Sequence, residues 1–325
     1  MNRRDSIIVL FACAVTPVVS KAQGTDRAIR TVGVLLPQPL EQTPHYVAFL
    51  RKLRQLGYED GRNLRIVMRS ADGQLEHLSA LAAELVTVKC EIIVAFNGPG
   101  ARAASRATKD IPIVMVSVGD PIGLGLVSNL ARPGGNLTGA SNMAAELGSK
   151  RLAVLKELVP HARRIAVLFN PDDPVTEPQR RDAEAAARAL KTEVRFFPVR
   201  AGKDLAGAFD NIRTWRADAG LWLLGQQQAF QAESIKRAAK NRLPLMVTFR
   251  EYVEAGGLIS YMSDSVEVHE RAAVFVDRIL NGARPGDLPI ERPTKFDLVI
   301  NLKTANLLGI KVPQSLLLQA DSLIQ

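Results

Sequence analysis

The feature that most constrains the fold is a regular alternation of two kinds of segment along almost the whole chain. Short runs rich in Val, Ile and Leu, such as Thr31–Leu36, predict buried strands. Longer segments with apolar residues at helical spacing, such as His45–Leu56, follow them. The other predicted strands are Leu64–Met68, Ile92–Phe96, Ile113–Val118, Ile165–Phe169, Val194–Val199, Leu221–Leu224, Leu245–Thr248, Leu258–Tyr261 and Phe296–Leu302. Because parallel strands need crossover connections, the pattern predicts an α/β protein with doubly wound sheets.

The alternation comes twice along the chain. Four predicted strands precede a Gly- and Pro-rich turn at residues 133–136, and the pattern restarts with a predicted helix at Arg151–Val159. A long helix at Val266–Leu280 then precedes the last strand. The sequence therefore predicts two similar α/β units, with the passage between them marked by that turn.

The first 22 residues have the layout of a secretory signal peptide. Arg3 and Arg4 give a positive start, residues 7–19 are almost wholly apolar, and small residues precede a cut after Ala22. This apolar run is shorter than the roughly 20 residues that a membrane-spanning helix needs. Export by the general or the twin-arginine route, and lipidation at Cys13, both stay open. We expect a periplasmic protein.

Charge and composition narrow the classes of partner. The chain has 42 Lys and Arg against 33 Asp and Glu, a net charge of +9. Basic residues form no run of five or more, and aromatic residues make up only 5% of the chain, which disfavours a nucleic-acid surface. An exported basic protein suits an anionic ligand.

Polar and aromatic side chains follow the predicted strands at their carboxyl ends. Ligands of open parallel sheets bind beyond these ends, where helix N-termini present free N–H groups. The candidate ligand-binding residues are Gln38, Thr43, Asn97, Gly98, Asp120, Asn170, Gln226, Phe249, Tyr261 and Asp264. Some have an ordinary structural reading as well, since Thr43 and Asn170 are natural helix caps and Asp120 begins a turn-forming Asp-Pro pair.

The sequence lacks the usual marks of an enzyme. Its four His residues show no H-x-x-x-H pair, and neither C-x-x-C, G-x-S-x-G nor a P-loop is present. Residues 98–103 (GPGARA) fit a dinucleotide fingerprint, with Asp120 about twenty residues on. They follow the third strand rather than the first, however, and Pro99 stiffens the turn. We expect a helix start facing a cleft, and no catalytic residue, metal or cofactor.

Several stretches of the chain are similar to one known family. The specific ones are residues 119–141 (GDPIGLGLVSNLARPGGNLTGAS) and 293–305 (PTKFDLVINLKTA), and shorter ones lie at 57–64, 155–160, 166–171, 254–258 and 313–317. The chain resembles the ABC transporter substrate-binding proteins of the tryptophan/tyrosine type, which have the type I periplasmic-binding fold. The similarity runs across essentially the whole mature chain.

This resemblance implies two Rossmann-like lobes joined by crossover strands around a cleft that closes by hinge motion. The lobes would comprise residues 27–141 with 266–290, and residues 142–265 with 291–325. It implies a monomer that captures an amino acid or an aromatic acid and delivers this small-molecule solute to an ABC permease. Ligand sensing for a membrane receptor is the alternative function, and a periplasmic enzyme is a weaker one.

The candidate residues suggest how a solute would be held. Helix N-termini near Thr43, Gly98 and Asn170 would bind a carboxylate. Asp120 or Asp264 would bind an ammonium group, and Phe249 or Tyr261 would pack a side chain. Two positions that would contact a ligand depart from the family pattern. Met262 stands in place of a Gly, and residues 97–100 replace a Thr-Pro-Ala type of sequence.

Overall fold

A computed structural model describes residues 29–39, 43–173, 175–225 and 228–325 of the chain. The predicted leader, Cys13 and Gln226 lie outside these described residues. Two separate β-sheets, each with helices packed against it, account for the described fold. The predicted α/β class with two lobes is therefore confirmed.

The first sheet is wholly parallel and has the strand order β2-β1-β3-β4-β5. Its strands and the helices between them are β1 (Arg30–Leu36), α1 (Pro44–Gln55), β2 (Leu64–Ser70), α2 (Leu78–Thr87), β3 (Ile92–Phe96), α3 (Asn97–Ala107), β4 (Ile113–Val118) and β5 (Leu137–Ser141). All five residues of the central strand β3 are buried, as a sheet covered by helices on both faces requires.

The second sheet has the order β12-β11-β10-β9-β8-β6-β7, and only the β10–β11 pair is antiparallel. Its elements, with one helix that packs elsewhere, are α4 (Gly148–Leu158), β6 (Arg164–Phe169), α5 (Thr176–Ala189), β7 (Glu193–Pro198), α6 (Asp204–Thr214), β8 (Ala219–Trp222), α7 (Gln228–Lys240), β9 (Leu245–Val247), α8 (Arg250–Glu254), β10 (Ile259–Ser263), α9 (Ser265–Leu280), β11 (Phe296–Asn301), α10 (Leu302–Leu308), α11 (Gln314–Gln319) and β12 (Ser322–Ile324).

Helix α9 follows β10 of the second sheet but packs on the first. Its residues Ala272, Phe275 and Val276 are buried in one cluster with Val32 and Phe96 of the first sheet. We therefore call the first sheet with α1–α3 and α9 the first lobe, and the second sheet with the remaining helices the second lobe. The chain crosses between the lobes after β5, between β10 and α9, and again before β11.

The third crossing is tied to the first lobe by backbone bonds. The Glu291 N–H donates to the Gly139 carbonyl at 2.9 Å, and the Glu291 carbonyl accepts from Ser141 N–H at 2.9 Å. Two crossings therefore lie side by side, at the end of β5. Such paired connecting segments are where a two-lobed protein hinges.

The sequence prediction missed strand β5 and the short edge strand β12. The segment LTGAS of β5 has no β-branched apolar run, yet all five of its residues are buried. Gly139 is needed there, because its φ is 137° and a Cβ would overlap the backbone of Met115 on β4. The turn at residues 133–136 therefore leads into the first sheet, and the chain leaves that sheet after Ser141.

Helix α3 begins at Asn97, so the stretch that fits a dinucleotide fingerprint lies within the helix. Pro99 lies in its first turn, where the missing N–H costs nothing because first-turn N–H groups have no intrahelical acceptor. The Gly-rich stretch is therefore the first turn of a helix rather than a loop ahead of it.

Candidate functional site

A cavity of about 470 Å³ lies where the carboxyl ends of the two sheets face each other. The first lobe contributes the segments that follow β1 to β5, and the second lobe those that follow β6, β8 and β9, with Met262 near the end of β10. Small-molecule sites in proteins occupy roughly 300–1,000 Å³, so the cavity has the size of a site for a small solute.

Five of the ten candidate residues from the sequence line this cavity: Gln38, Asn97, Gly98, Asn170 and Phe249. Asn97 and Gly98 begin the helix after β3, and the other three follow the carboxyl ends of β1, β6 and β9. The structure thus brings together residues up to 211 positions apart in sequence, from Gln38 to Phe249. Side chains beyond the carboxyl ends of parallel strands face the cleft, so position after a strand predicts these residues.

Four other candidates lie outside the cavity lining. Asp264 caps helix α9, since its Oδ1 accepts from the N–H groups of Val266 at 2.8 Å and Glu267 at 3.2 Å. Asp120 closes a turn by accepting from Gly123 N–H at 2.8 Å, and it lines a separate cavity of about 260 Å³. Both carboxylates are engaged by local backbone.

The remaining two candidates are Thr43 and Tyr261. Thr43 directly precedes helix α1, as a capping position does. The ring of Tyr261 stacks on Phe296, with centroids 5.7 Å apart, and Lys150 Nζ lies 5.8 Å from the Tyr261 ring centroid. Tyr261 packs against the cluster that contains Met262 and Leu224, so it supports the cavity wall from behind.

The first-lobe wall of the cavity is basic. Arg102 and Arg106 of α3 both line it and, at spacing i and i+4, lie on one face of the helix. Neither forms a salt bridge with any residue that the structure describes. The first turn of α3, at Asn97 and Gly98, adds N–H groups and the positive end of the helix dipole. This wall suits an anionic group.

Two residues of this wall have left-handed backbone. Asn97 has φ 57° and Ser117 has φ 60°, a region that non-Gly residues seldom adopt. The side chain of Asn142 holds Ser117 in place, because Nδ2 donates to the Ser117 carbonyl at 3.1 Å and to its hydroxyl at 2.9 Å. Strained backbone of this kind concentrates at functional sites, where the surrounding structure over-determines it.

The second-lobe wall carries carboxylates. Asp173 is 7% exposed, and its Oδ1 accepts from Val175 N–H at 3.1 Å. Asp172 lies 3.2 Å from Arg200 in an exposed pair, and Asn170 Oδ1 accepts from the Asp172 N–H at 3.0 Å. The two walls therefore oppose a positive side and a negative side across one cavity.

An apolar floor joins the two walls. Leu224, Met262 and Ala144 are buried in one cluster, with Val175 and Phe249 packed against it. The lobes touch here, since a Cβ built on Gly119 of the first lobe would lie 2.7 Å from Val175 Cγ2 of the second. The floor offers an apolar surface with an aromatic ring to the body of a solute.

Comparison with known proteins decides the family. Residues 43–324 match the model of the ABC transporter substrate binding proteins. This chain belongs to that family. The resemblance noted in the sequence is therefore confirmed, and the described two-lobed α/β fold is the one its solved relatives share.

Three relatives of this substrate-binding protein illustrate the similarity. A tyrosine-binding protein of Clostridioides difficile (strain R20291) is 28% identical over 265 residues, which cover 81% of this chain and 76% of the relative. A solved domain from Streptococcus pneumoniae in complex with L-Trp is 25% identical, with a TM-score of 0.83, and covers 91% of this chain and 100% of its own. A conserved domain protein of Vibrio cholerae is 27% identical, with a TM-score of 0.84 over 91% of this chain and 99% of its own.

Sequence reasoning missed several lining residues of this substrate-binding protein. Arg102 and Val175 lie a helical turn or a connecting segment beyond a strand end, and Asn142 directly follows β5, a strand that the sequence did not predict. One signal for Arg102 was available, since α3 carries two Arg residues four apart and no acidic residue. Of the two departures from the family pattern, Met262 lines the cavity, and so do residues 97–99 of the stretch 97–100.

A pair of histidines lies behind the first-lobe wall. The rings of His45 and His269 have centroids 4.6 Å apart, and His269 also lies 5.5 Å from the ring of Phe96, the residue before Asn97. Burial, with a smaller contribution from the neighbouring His45, lowers the pKa of His269 to about 3. Burial also lowers the pKa of His45. Both rings are therefore neutral at pH 7.

The described residues contain no group of three or more His, Cys, Asp or Glu side chains placed to hold a metal ion. Within the same part of the chain, every helix is too short or too polar to cross a membrane.

Proposed function

We propose that this protein is exported to the periplasm and captures a small carboxylate-bearing solute, an aromatic amino acid or aromatic acid, for an ABC importer. The observation that carries the proposal is the cavity of about 470 Å³ between the lobes, with a basic wall, an acidic wall and an apolar floor. An aromatic amino acid has a carboxylate for the basic wall, an ammonium group for the acidic wall and an aromatic ring for the apolar floor. The names of the tyrosine-binding relative and the L-Trp complex support the same ligand class.

In this arrangement the ligand carboxylate faces Arg102 and the first turn of α3. A guanidinium can donate two parallel hydrogen bonds to a carboxylate, and the helix N-terminus adds N–H donors. The aromatic body packs on Phe249 and Met262, and the ammonium group faces Asp173 on the opposite wall. Binding energy is thus shared between the lobes, so an occupied cavity favours the closed arrangement.

The permease would recognise that closed arrangement, which couples solute capture to transport. The protein would act as a monomer, without a cofactor and without catalysis, after removal of residues 1–22. The family membership supports a binding role, and the leader-like sequence supports export.

The test is a thermal-shift and calorimetric screen of the mature chain, residues 23–325. The ligands are L-tryptophan, L-tyrosine and L-phenylalanine, together with tryptamine, which lacks the carboxylate, and indole-3-propionate, which lacks the ammonium group. The proposal predicts saturable binding of an aromatic amino acid or acid and none of tryptamine. Turnover of a solute without stabilisation would instead indicate an enzyme.

Arg102 provides the sharpest variant for this screen. Arg102→Ala should weaken binding at least tenfold, because a charged hydrogen bond contributes about 1.5–3 kcal/mol. Arg102→Lys should recover part of the loss, since it keeps the charge without the fork. Arg54→Ala, at an exposed position on α1 outside the cavity, is the matched control and should bind as the unchanged protein does. Equal affinities of the unchanged protein and the three variants would show that Arg102 does not bind the solute.

A further inference from the structure

Gln179 of helix α5 is a fully buried amide whose three hydrogen bonds all go to the backbone of cavity-lining residues. Its Nε2 donates to the Val175 carbonyl at 2.8 Å and to the Leu224 carbonyl at 2.7 Å. Its Oε1 accepts from the Leu224 N–H at 2.8 Å. Val175 and Leu224 both line the cavity, and Gln179 itself is 0% exposed and outside the lining.

These bonds replace sheet pairing at a point where the sheet has ended. Leu224 lies two residues beyond β8, and Val175 lies in the segment between β6 and α5, so neither has a partner in a strand ladder. A buried backbone N–H or carbonyl without a partner costs about 1–3 kcal/mol. One side-chain amide pairs with both polar groups of Leu224, as a neighbouring strand would, and fixes the distance from Leu224 to Val175.

Arg151 of helix α4 makes a similar connection between β8 and β9. Its Nη1 donates to the Trp222 carbonyl at 2.7 Å, and its Nη2 donates to the Val247 carbonyl at 2.8 Å. The ladder between these strands has only the pairs Gly220↔Leu245 and Leu221↔Met246, so it ends directly before Trp222 and Val247. The guanidinium joins the two strands at the first residues beyond the ladder.

The side chain of Arg151 is 0% exposed and forms no salt bridge with a described acidic residue. Burying a charge without a counter-ion costs free energy. An apolar residue would fill a purely structural position with a smaller loss of stability. Two residues beyond each bonded carbonyl come Leu224 and Phe249, both in the cavity lining. The bridge therefore sets the separation of two neighbouring parts of the solute site.

We propose that Gln179 and Arg151 are positioning residues for the solute site: they hold Val175, Leu224 and Phe249 at a fixed spacing without touching the solute. The solute-binding part of this inference rests on the proposed function. Loss of either side chain loosens the second-lobe half of the cavity and weakens solute binding by more than the loss of global stability explains.

Two variants of Gln179 test the proposal. Gln179→Leu removes all three hydrogen bonds of the side chain. Gln179→Glu keeps the side-chain shape but replaces the Nε2 donor with an oxygen that faces the Val175 and Leu224 carbonyls. The matched control is Asn301→Leu, which removes a buried amide bonded to Val253 O at 2.9 Å and Thr304 N at 2.9 Å, outside the cavity lining. If Gln179→Leu fails to fold, Gln179→Glu and Arg151→Lys carry the comparison.

Each protein is measured in three ways: melting temperature, affinity for L-tryptophan by calorimetry, and hydrogen–deuterium exchange of the peptide containing Leu224. The Gln179 variants should lose affinity roughly tenfold, as for one or two lost hydrogen bonds, and exchange faster at Leu224. Asn301→Leu should lower the melting temperature by a similar amount and change the affinity less than twofold. Equal loss of affinity in both positions, or unchanged exchange at Leu224, would overturn the proposal.

The exchange measurement separates this inference from the proposed function. If the unchanged protein binds neither L-tryptophan nor L-tyrosine, the proposed ligand class fails. Exchange at Leu224 then decides by itself whether Gln179 fixes the cavity wall.

Discussion

The buried His269 ring predicts a specific loss of stability in acid. Its pKa is lowered to about 3 in the folded protein, from 6.5 for a free side chain, mainly by burial. Below pH 6.5 the unfolded chain therefore takes up a proton that the folded protein refuses, and the free energy of unfolding falls as the pH falls. The full contribution is present above pH 6.5 and is lost progressively between pH 6.5 and 3.

The size of this effect follows from the shift. Each pH unit within that window costs about 1.4 kcal/mol, so lowering the pH from 6.5 to 5 removes about 2 kcal/mol through His269 alone. His45, 4.6 Å away and with its own pKa lowered, acts in the same direction. Since a domain of ordinary size is stable by about 5–15 kcal/mol, the loss is measurable.

Urea denaturation at pH 7.5, 6.5, 5.5 and 5.0 measures the effect, with His269→Phe as the test variant. That variant loses the bond between Nδ1 and the Ser265 carbonyl, at 2.6 Å, and should be less stable at pH 7.5 by about 1 kcal/mol. Its stability should then fall less steeply toward pH 5. His77→Asn, at an exposed position, is the control and should follow the unchanged protein. Parallel pH curves for His269→Phe and the unchanged protein would refute the reasoning.

Three further substitutions have expected outcomes. Gly119→Ala places a Cβ 2.7 Å from Val175 Cγ2, so it should keep the lobes apart and weaken solute affinity roughly tenfold, as calorimetry and small-angle scattering would reveal. Asp264→Ala removes a helix cap and should cost about 1 kcal/mol in urea denaturation while leaving solute affinity unchanged; a large loss of affinity would return Asp264 to the site. Gly139→Ala, at φ 137° and against the backbone of Met115, should cost about 3 kcal/mol or abolish folding, and normal stability would contradict the packing at β5.

Most of the fold was predictable because its strands are buried on both faces. Runs such as Ile92–Phe96 and Ile113–Val118 are continuous apolar segments, and the structure places each of them in a parallel sheet. Strand β5 was missed because its sequence, LTGAS, gains its place from a close approach to β4 that only Gly139 allows. Such an approach depends on a partner distant in sequence, which no local pattern contains.

The part of the candidate site that directly follows the strands was predictable from the sequence. Residues such as Asn97, Asn170 and Phe249 follow strands directly and line the cavity. Asp120 and Asp264 follow strands equally directly, but they lie outside the cavity lining and cap local backbone there. Backbone geometry decides whether a polar residue after a strand caps local N–H groups or lines the cavity. The sequence is compatible with either role.

The residues behind the cavity were beyond sequence reasoning altogether. Gln179 lies in the first turn of α5, in a segment rich in charged residues, where its type suggests an exposed position, yet it is fully buried. Its burial follows from the position of this turn beside Leu224, which its amide contacts beyond the end of β8. Only the folded second lobe brings its amide to Val175 and Leu224 of the cavity wall.

The central claim is that the space between the lobes holds an aromatic solute through its carboxylate. Isothermal titration of the mature protein with L-tryptophan and L-tyrosine tests this claim most directly. The account predicts one solute bound per protein, with a negative heat-capacity change from burial of the aromatic side chain and with affinity lost in Arg102→Ala. Absence of binding by both amino acids and by indole-3-propionate, or binding that Arg102→Ala leaves intact, would contradict it.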